Sequence, residues 1–163
     1  MPMRREVARI LPLGLLVGCK PALDGAWSGS WECANSLVMD VDVALERVDA
    51  GTYGGQAVQR WSADWAVEDQ QWSAWLELRS AWEVVADKAH GEQELELTVM
   101  PTGADCERSV DGQVETTDCT DLGIDAEGAD PQMASRAWWD GADDLEAEVD
   151  FCGIGLVRVV EGG

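Results

Sequence analysis

The side chains in this 163-residue chain that could do chemistry are carboxylates, cysteines and one imidazole. His90, the only histidine, sits in an apparent turn with no cysteine near it in sequence, and no C-x-x-C occurs anywhere, so a zinc site is not expected. The chain has no H-E-x-x-H, no G-x-S-x-G, no Walker loop and no dinucleotide fingerprint. No catalytic residue and no cofactor is therefore assigned, and the expectation is a protein that is not an enzyme. Two chemistries stay open for the acids. A pair of carboxyls facing across a cleft could hydrolyse a glycoside. Hard oxygens on turns could bind calcium, and Asp125, Glu127 and Asp130 around Gly128, or Asp140, Asp143 and Asp144 around Gly141, are the candidates. Neither cluster matches an EF-hand loop.

Nine tryptophans stand beside one phenylalanine and one tyrosine. Each indole buries about 150–250 Å², so they either replace phenylalanine in the core or form a contact surface. Trp27, Trp31, Trp61 and Trp65 share one strand parity and would line a barrel mouth or groove, stacking on a sugar, a lipid or another flat ligand. Trp138 and Trp139 are adjacent and cannot both face inward on a regular strand. One of that pair is the expected exposed contact.

The elements that would carry these residues show a period of two. Leu37, Met39, Val41, Val43 and Leu45 alternate with Asp40, Asp42 and Glu46; Leu95, Leu97 and Val99 with Glu94, Glu96 and Thr98; Leu145, Ala147, Val149 and Phe151 with Glu146, Glu148 and Asp150. Strands with one apolar and one acidic face belong to an antiparallel sheet that is wet on one side. Residues 61–89 fit a helix with Trp75, Leu78, Trp82, Val85 and Ala89 on one face and Gly91 as its cap. They fit better as a hairpin turning at Glu68 to Gln71, with Trp72, Ala74, Leu76, Leu78, Trp82 and Val84 inward and only Ser80 out of place. Nine or ten strands with short connections predict an all-β fold, an antiparallel meander closed into a barrel or a two-sheet sandwich. Residues 120–132 lack periodicity and read as a long surface loop.

At the N-terminus Arg4, Arg5 and Arg9 precede the apolar stretch Ile10 to Val17, which is too short to span a bilayer and is interrupted by Pro12. It closes on Leu16-Val17-Gly18-Cys19, which resembles the lipobox of bacterial lipoproteins position by position. The resemblance implies a signal peptide over 1–18, a Cys19 carrying diacylglycerol and an amide-linked acyl chain such as palmitate, a short tether over 19–24 and one domain over 25–163. Two or three chains anchor stably where one would not. Lys20 in place of the inner-membrane retention aspartate points to the outer membrane, with the membrane itself as partner through the lipid. Of 11 basic and 32 acidic residues the leader takes Arg4, Arg5, Arg9 and Glu6, which leaves 8 and 31, a net of −23. That balance excludes nucleic acid as a partner, and a small-molecule or envelope partner stays unidentified. Scarce Lys, Phe, Tyr and Asn beside abundant Gly, Ala, Asp and Glu also fits a GC-rich bacterial genome, so part of the acid excess is mutational.

With Cys19 acylated, Cys33, Cys106, Cys119 and Cys152 are an even set for an oxidising compartment, and three pairings are open. The Asp111-Gly112 turn midway between Cys106 and Cys119 favours that pair, which leaves Cys33 with Cys152. Gly25-Ala26-Trp27 and Thr52-Tyr53-Gly54-Gly55 are similar to the first G-x-W strand and a later glycine-containing strand of lipocalin and avidin barrels. This implies a calycin-like barrel that could hold a small apolar ligand against its tryptophans. The leading expectation is a non-catalytic binding or envelope-interaction module.

Overall fold

The computed structural model describes residues 22–86 and 94–161. The expected signal peptide, the lipid acceptor Cys19, and His90 lie outside the described residues. Ten strands follow in chain order: β1 (Gly25–Cys33), β2 (Val38–Asp49), β3 (Thr52–Val67), β4 (Gln70–Val85), β5 (Glu94–Val110), β6 (Gln113–Thr116), β7 (Gln132–Met133), β8 (Arg136–Trp139), β9 (Asp144–Val149) and β10 (Cys152–Arg158). All pairings are antiparallel. The order β4-β3-β2-β1-β10-β9-β8-β5 is closed by a β4–β5 ladder, so eight strands form a hydrogen-bonded ring, with β6 and β7 as side branches on β5. Ring closure leaves the barrel proper without an edge.

Eight strands enclose an interior just wide enough for side chains to fill. Trp27, Trp31, Trp82, Trp139, Tyr53 and the inward Val, Leu and Met of β2, β5, β9 and β10 fill it. Trp31 and Trp82 meet edge to face, centroids 6.5 Å apart. Two positions accept only glycine, because strands cross them closely. A Cβ on Gly29 would stand 1.9 Å from the Gly155 carbonyl oxygen, and one on Gly55 2.0 Å from that of Ala44.

The first and last strands meet at the β1–β10 seam, where Cys33 and Cys152 are register partners joined by a disulfide, Cα–Cα 3.9 Å. The other end of the seam is held by Arg158. Its guanidinium lies 4.3 Å from the Trp27 ring centroid and donates to the carbonyls of Ala22 (2.7 Å), Asp24 and Ala142 (3.3 Å). Leu23 is fully buried and its carbonyl accepts from the Trp27 indole at 3.0 Å. Residues 22–24, read from sequence as the end of a tether, are therefore docked on the barrel.

Residues 61–85 form strand, as the alternation indicates, but the connection is the two-residue turn Glu68-Asp69, with Val67 opposite Gln70 and Glu68 at φ 56°. That shift of two residues from the expected Glu68 to Gln71 turn puts Trp65 opposite Trp72. Ser80, the apparent misfit, is buried on the inner face and accepts the Trp82 indole N–H at 2.9 Å. The strand expected to end at Met100 continues to Val110. A bulge opposite Arg79 and Ser80 takes up Thr102, so inward parity changes from odd (Leu95, Leu97, Val99) to even (Ala104, Cys106, Arg108). Pro101 and Gly103 flank this bulge, which is where strands tolerate both residue types. Phe151, expected inward, is 87% exposed in the β9–β10 turn, because β9 ends at Val149.

Candidate functional site

β1 begins, β2 ends and β3 begins at one end of the barrel, where the chain arrives from residue 22. At the opposite end β2 pairs with β3 only as far as Arg60, and the remaining seven residues of β3 continue past the rim. β4 and β5 accompany them, and β6 adds a short fourth strand. At about 3.3 Å per residue this wing projects roughly 20 Å along the strand direction. Its length comes from an uninterrupted period-2 pattern through Trp61–Leu76, with no proline or glycine to stop it.

One face of the wing continues the apolar interior surface of the barrel. Lateral rows set Trp61 beside Leu76 and Cys106, Ala63 beside Ala74 and Arg108, and Trp65 beside Trp72 and Val110. Trp61 is half-buried and packs against the core, while Trp65, two pleat repeats further out, is 37% exposed. Trp65 and Trp72 stack with centroids 6.1 Å apart and planes 19° from parallel. The Arg108 guanidinium lies 5.8 Å from the Trp72 centroid and its Nε donates to Glu115 Oε2 at 2.6 Å. Gln70, Trp72, Val110, Gln113 and Glu115 border an open groove beside this stack. The Trp72 Nε1 is buried without a hydrogen-bond partner among the described residues. On the opposite face Trp75 is 41% exposed between Ser62 and Glu107.

The wing is held in shape at both ends. At its tip Gln71 N donates to Asp111 Oδ1 at 2.8 Å and Asp111 N donates to the Gln71 carbonyl at 2.7 Å. The Asp111-Gly112 turn takes φ of 49° and 78°, the conformation for which Asp-Gly is suited. At its base Arg60 bridges Asp42 (2.8 Å) and Glu77 (3.2 Å), and Arg79 pairs with Asp105. The Cys106–Cys119 disulfide fastens the loop after β6 to the wing's inner face. A 3₁₀ turn at Cys119–Leu122 follows, capped by Asp118 and ended by Gly123 at φ 76°. The aperiodic stretch of 120–132 thus begins in a short helical turn and ends at β7.

No family model, curated protein or solved structure matches the chain. The structure does not bring the six sequence-selected tryptophans together. Trp27 and Trp31 are 1% and 5% exposed and belong to the packed interior, as does Trp139, whose indole donates to the Ala142 carbonyl at 3.2 Å. Trp138 faces outward, on a shallow groove floored by Gly153 and Gly155 and bordered by Arg136, Glu146 and Glu148. Trp61 and Trp65 alone sit on the wing. In sequence Trp72 reads only as an inward hairpin residue, Trp75 only as part of the helix alternative, and Arg108 carries no signal. The signal for Trp72 was its place across the turn from Trp65, legible only once the turn is two residues long.

Among the described residues no three His, Cys, Asp or Glu side chains are grouped to hold a metal. Asp125 Oδ1 instead accepts from Gly128 N at 2.9 Å, closing its own turn. Asp140 does the same for Ala142 N (2.8 Å) and Asp144 N (3.1 Å), and those two donors hold its carboxyl below the usual aspartate range. The Asp118 carboxyl is lowered by the Thr120 hydroxyl (2.7 Å) and then by the Thr120 backbone N–H (2.9 Å). Both shifts run opposite to the direction a glycosidase acid needs.

Proposed function

We propose that the protein is a non-catalytic binding module, anchored through an acylated Cys19 to the outer membrane of a bacterial envelope, that meets its partner with the wing. The observation carrying this reading is an exposed indole, Trp65, stacked on the half-buried Trp72 on a sheet that extends past the barrel rim, at the end opposite residue 22. Surface tryptophans do nothing for solubility and enrich at contact sites. Lys20 and Pro21 alone separate Cys19 from the docked Ala22, a reach of about 10 Å at most. An acyl anchor there would hold one end of the barrel near the bilayer and leave the wing outermost.

A calycin-like barrel binding a small apolar ligand is the second reading, and the eight-stranded ring favours it. It weighs less, because the inward tryptophans of β1 pack against Trp82, Val41 and Leu156 in the core cluster and are nearly inaccessible.

Two experiments test the proposal. Cys19→Ser should release the protein from the membrane fraction and remove the acyl mass, and unchanged retention would overturn the anchor. A benzophenone amino acid at position 65 or 75 should give discrete photo-adducts in intact cells, and one at Glu46 near the anchor end should not. Equal labelling at all three positions would contradict the wing as the contact surface.

A further inference from the structure

We propose that the outer edge of β3 in the wing, residues 61–67, recruits an extended, cationic peptide segment of its partner as an added β-strand. The inference rests on the wing being the contact surface. Beyond Arg60 the only neighbour of β3 among the described residues is β4, so the backbone groups that would face β2 lack a ladder partner for seven residues. Such an edge is a template for strand addition, and proteins that must prevent pairing blunt it with proline, with charged side chains, lysine above all, or with a bulge. Residues 61–67 contain no proline and no lysine, carry one charged side chain, Asp64, and pair with β4 without a bulge.

The alternation along this edge supplies what strand addition uses for specificity. Trp65 and Val67 are exposed on one face and Ser62, Asp64 and Ala66 on the other. Charge selects the occupant. Asp64 lies on the edge and Glu68 and Asp69 in the turn that ends it, whereas Arg60, Arg79 and Arg108 are already engaged by Asp42, Glu77, Asp105 and Glu115. A lysine-bearing strand complements this field, and a second copy of a chain with net charge −21 is repelled by it.

The test uses the full mature protein in detergent and three seven-residue probes. These are an alternating Lys-Val peptide, its Glu-Val counterpart, and the Lys-Val peptide N-methylated at alternate residues. The Lys-Val peptide should quench Trp65 emission and slow amide exchange within 61–67 at least tenfold. The Glu-Val and N-methylated peptides should bind at least tenfold more weakly, and Asp64→Lys should weaken the Lys-Val peptide severalfold. Absence of protection at millimolar peptide overturns the proposal. So does protection that appears without peptide and scales with protein concentration, which would make a second copy the occupant. Equal binding of the N-methylated peptide overturns strand addition while leaving the wing as the contact surface. Peptide binding indifferent to both Asp64→Lys and Trp65→Thr would remove the wing reading as well.

Discussion

Individual side chains divide sharply between structural and presented roles, and substitution should separate them. Ser80 exists in the barrel wall to accept the Trp82 indole, and Ser80→Ala would strand a buried donor at a cost of about 1–3 kcal/mol. Trp27→Ala should cost about 3–5 kcal/mol, whereas Trp65→Ala, on a half-open surface, should cost less than about 1 kcal/mol in a urea melt. A large loss at Trp65 would mean that the stack is structural. Asp118 and Asp140 each contribute a pH dependence. Both bind protons less readily folded than unfolded, so their stabilisation is complete above the ordinary carboxylate pKa near 4 and is lost as pH falls through their lower folded values. The Asp118→Ala, Asp140→Ala double variant should therefore show a shallower fall in melting temperature than the parent as pH drops below about 4. At this scale the sequence was legible for the disulfides, because the Asp111-Gly112 turn sits midway between Cys106 and Cys119, and Cys33 pairs with Cys152. It was not legible which tryptophans are interior, since parity alone groups Trp27 with Trp65 and cannot say where a strand leaves the barrel.

Strands were readable wherever one face is apolar and the other acidic, as in β2 and β9, and the reading failed where the pattern changes phase. β5 is the instructive case. Its bulge at Thr102 moves inward positions from odd to even, so a single period ends at Met100 although the strand does not. The two-residue turn at Glu68-Asp69 carries none of the Asn-Gly or Asp-Gly chemistry that announces a tight hairpin. Glycines at close crossings make an element-level prediction. Gly29→Ala or Gly55→Ala drives a Cβ into backbone and should destabilise by about 3 kcal/mol or more, at or above the upper end of the usual overpacking cost. Gly153→Ala and Gly155→Ala meet nothing within 4 Å and should melt close to the parent in the same denaturant series. Equal effects at all four positions would argue against the closed ring.

Over the whole molecule, two fastenings hold the seam where the chain's first and last strands meet. In the chain-entropy account a loop of 119 residues closed by Cys33–Cys152 gains nearly 5 kcal/mol, and the 13-residue loop of Cys106–Cys119 about 3 kcal/mol. Replacing Cys33 and Cys152 by serine should lower the denaturation midpoint more than replacing Cys106 and Cys119. The all-β class was legible from patterning, but the wing was not, because it arises from a mismatch in length: β3 and β4 have 16 residues each where β2 has 12 and β1 has 9. That mismatch gives the molecule two ends, with Arg158 clasping residues 22 and 24 at one and the Trp65–Trp72 stack beyond the other. The most direct test places a fluorophore at Asp69 or at Asp143 in acylated protein held on lipid vesicles containing a headgroup quencher. The account predicts strong quenching at Asp143 and little at Asp69. Equal quenching at the two positions, or failure of the protein to stay on the vesicles, would contradict it.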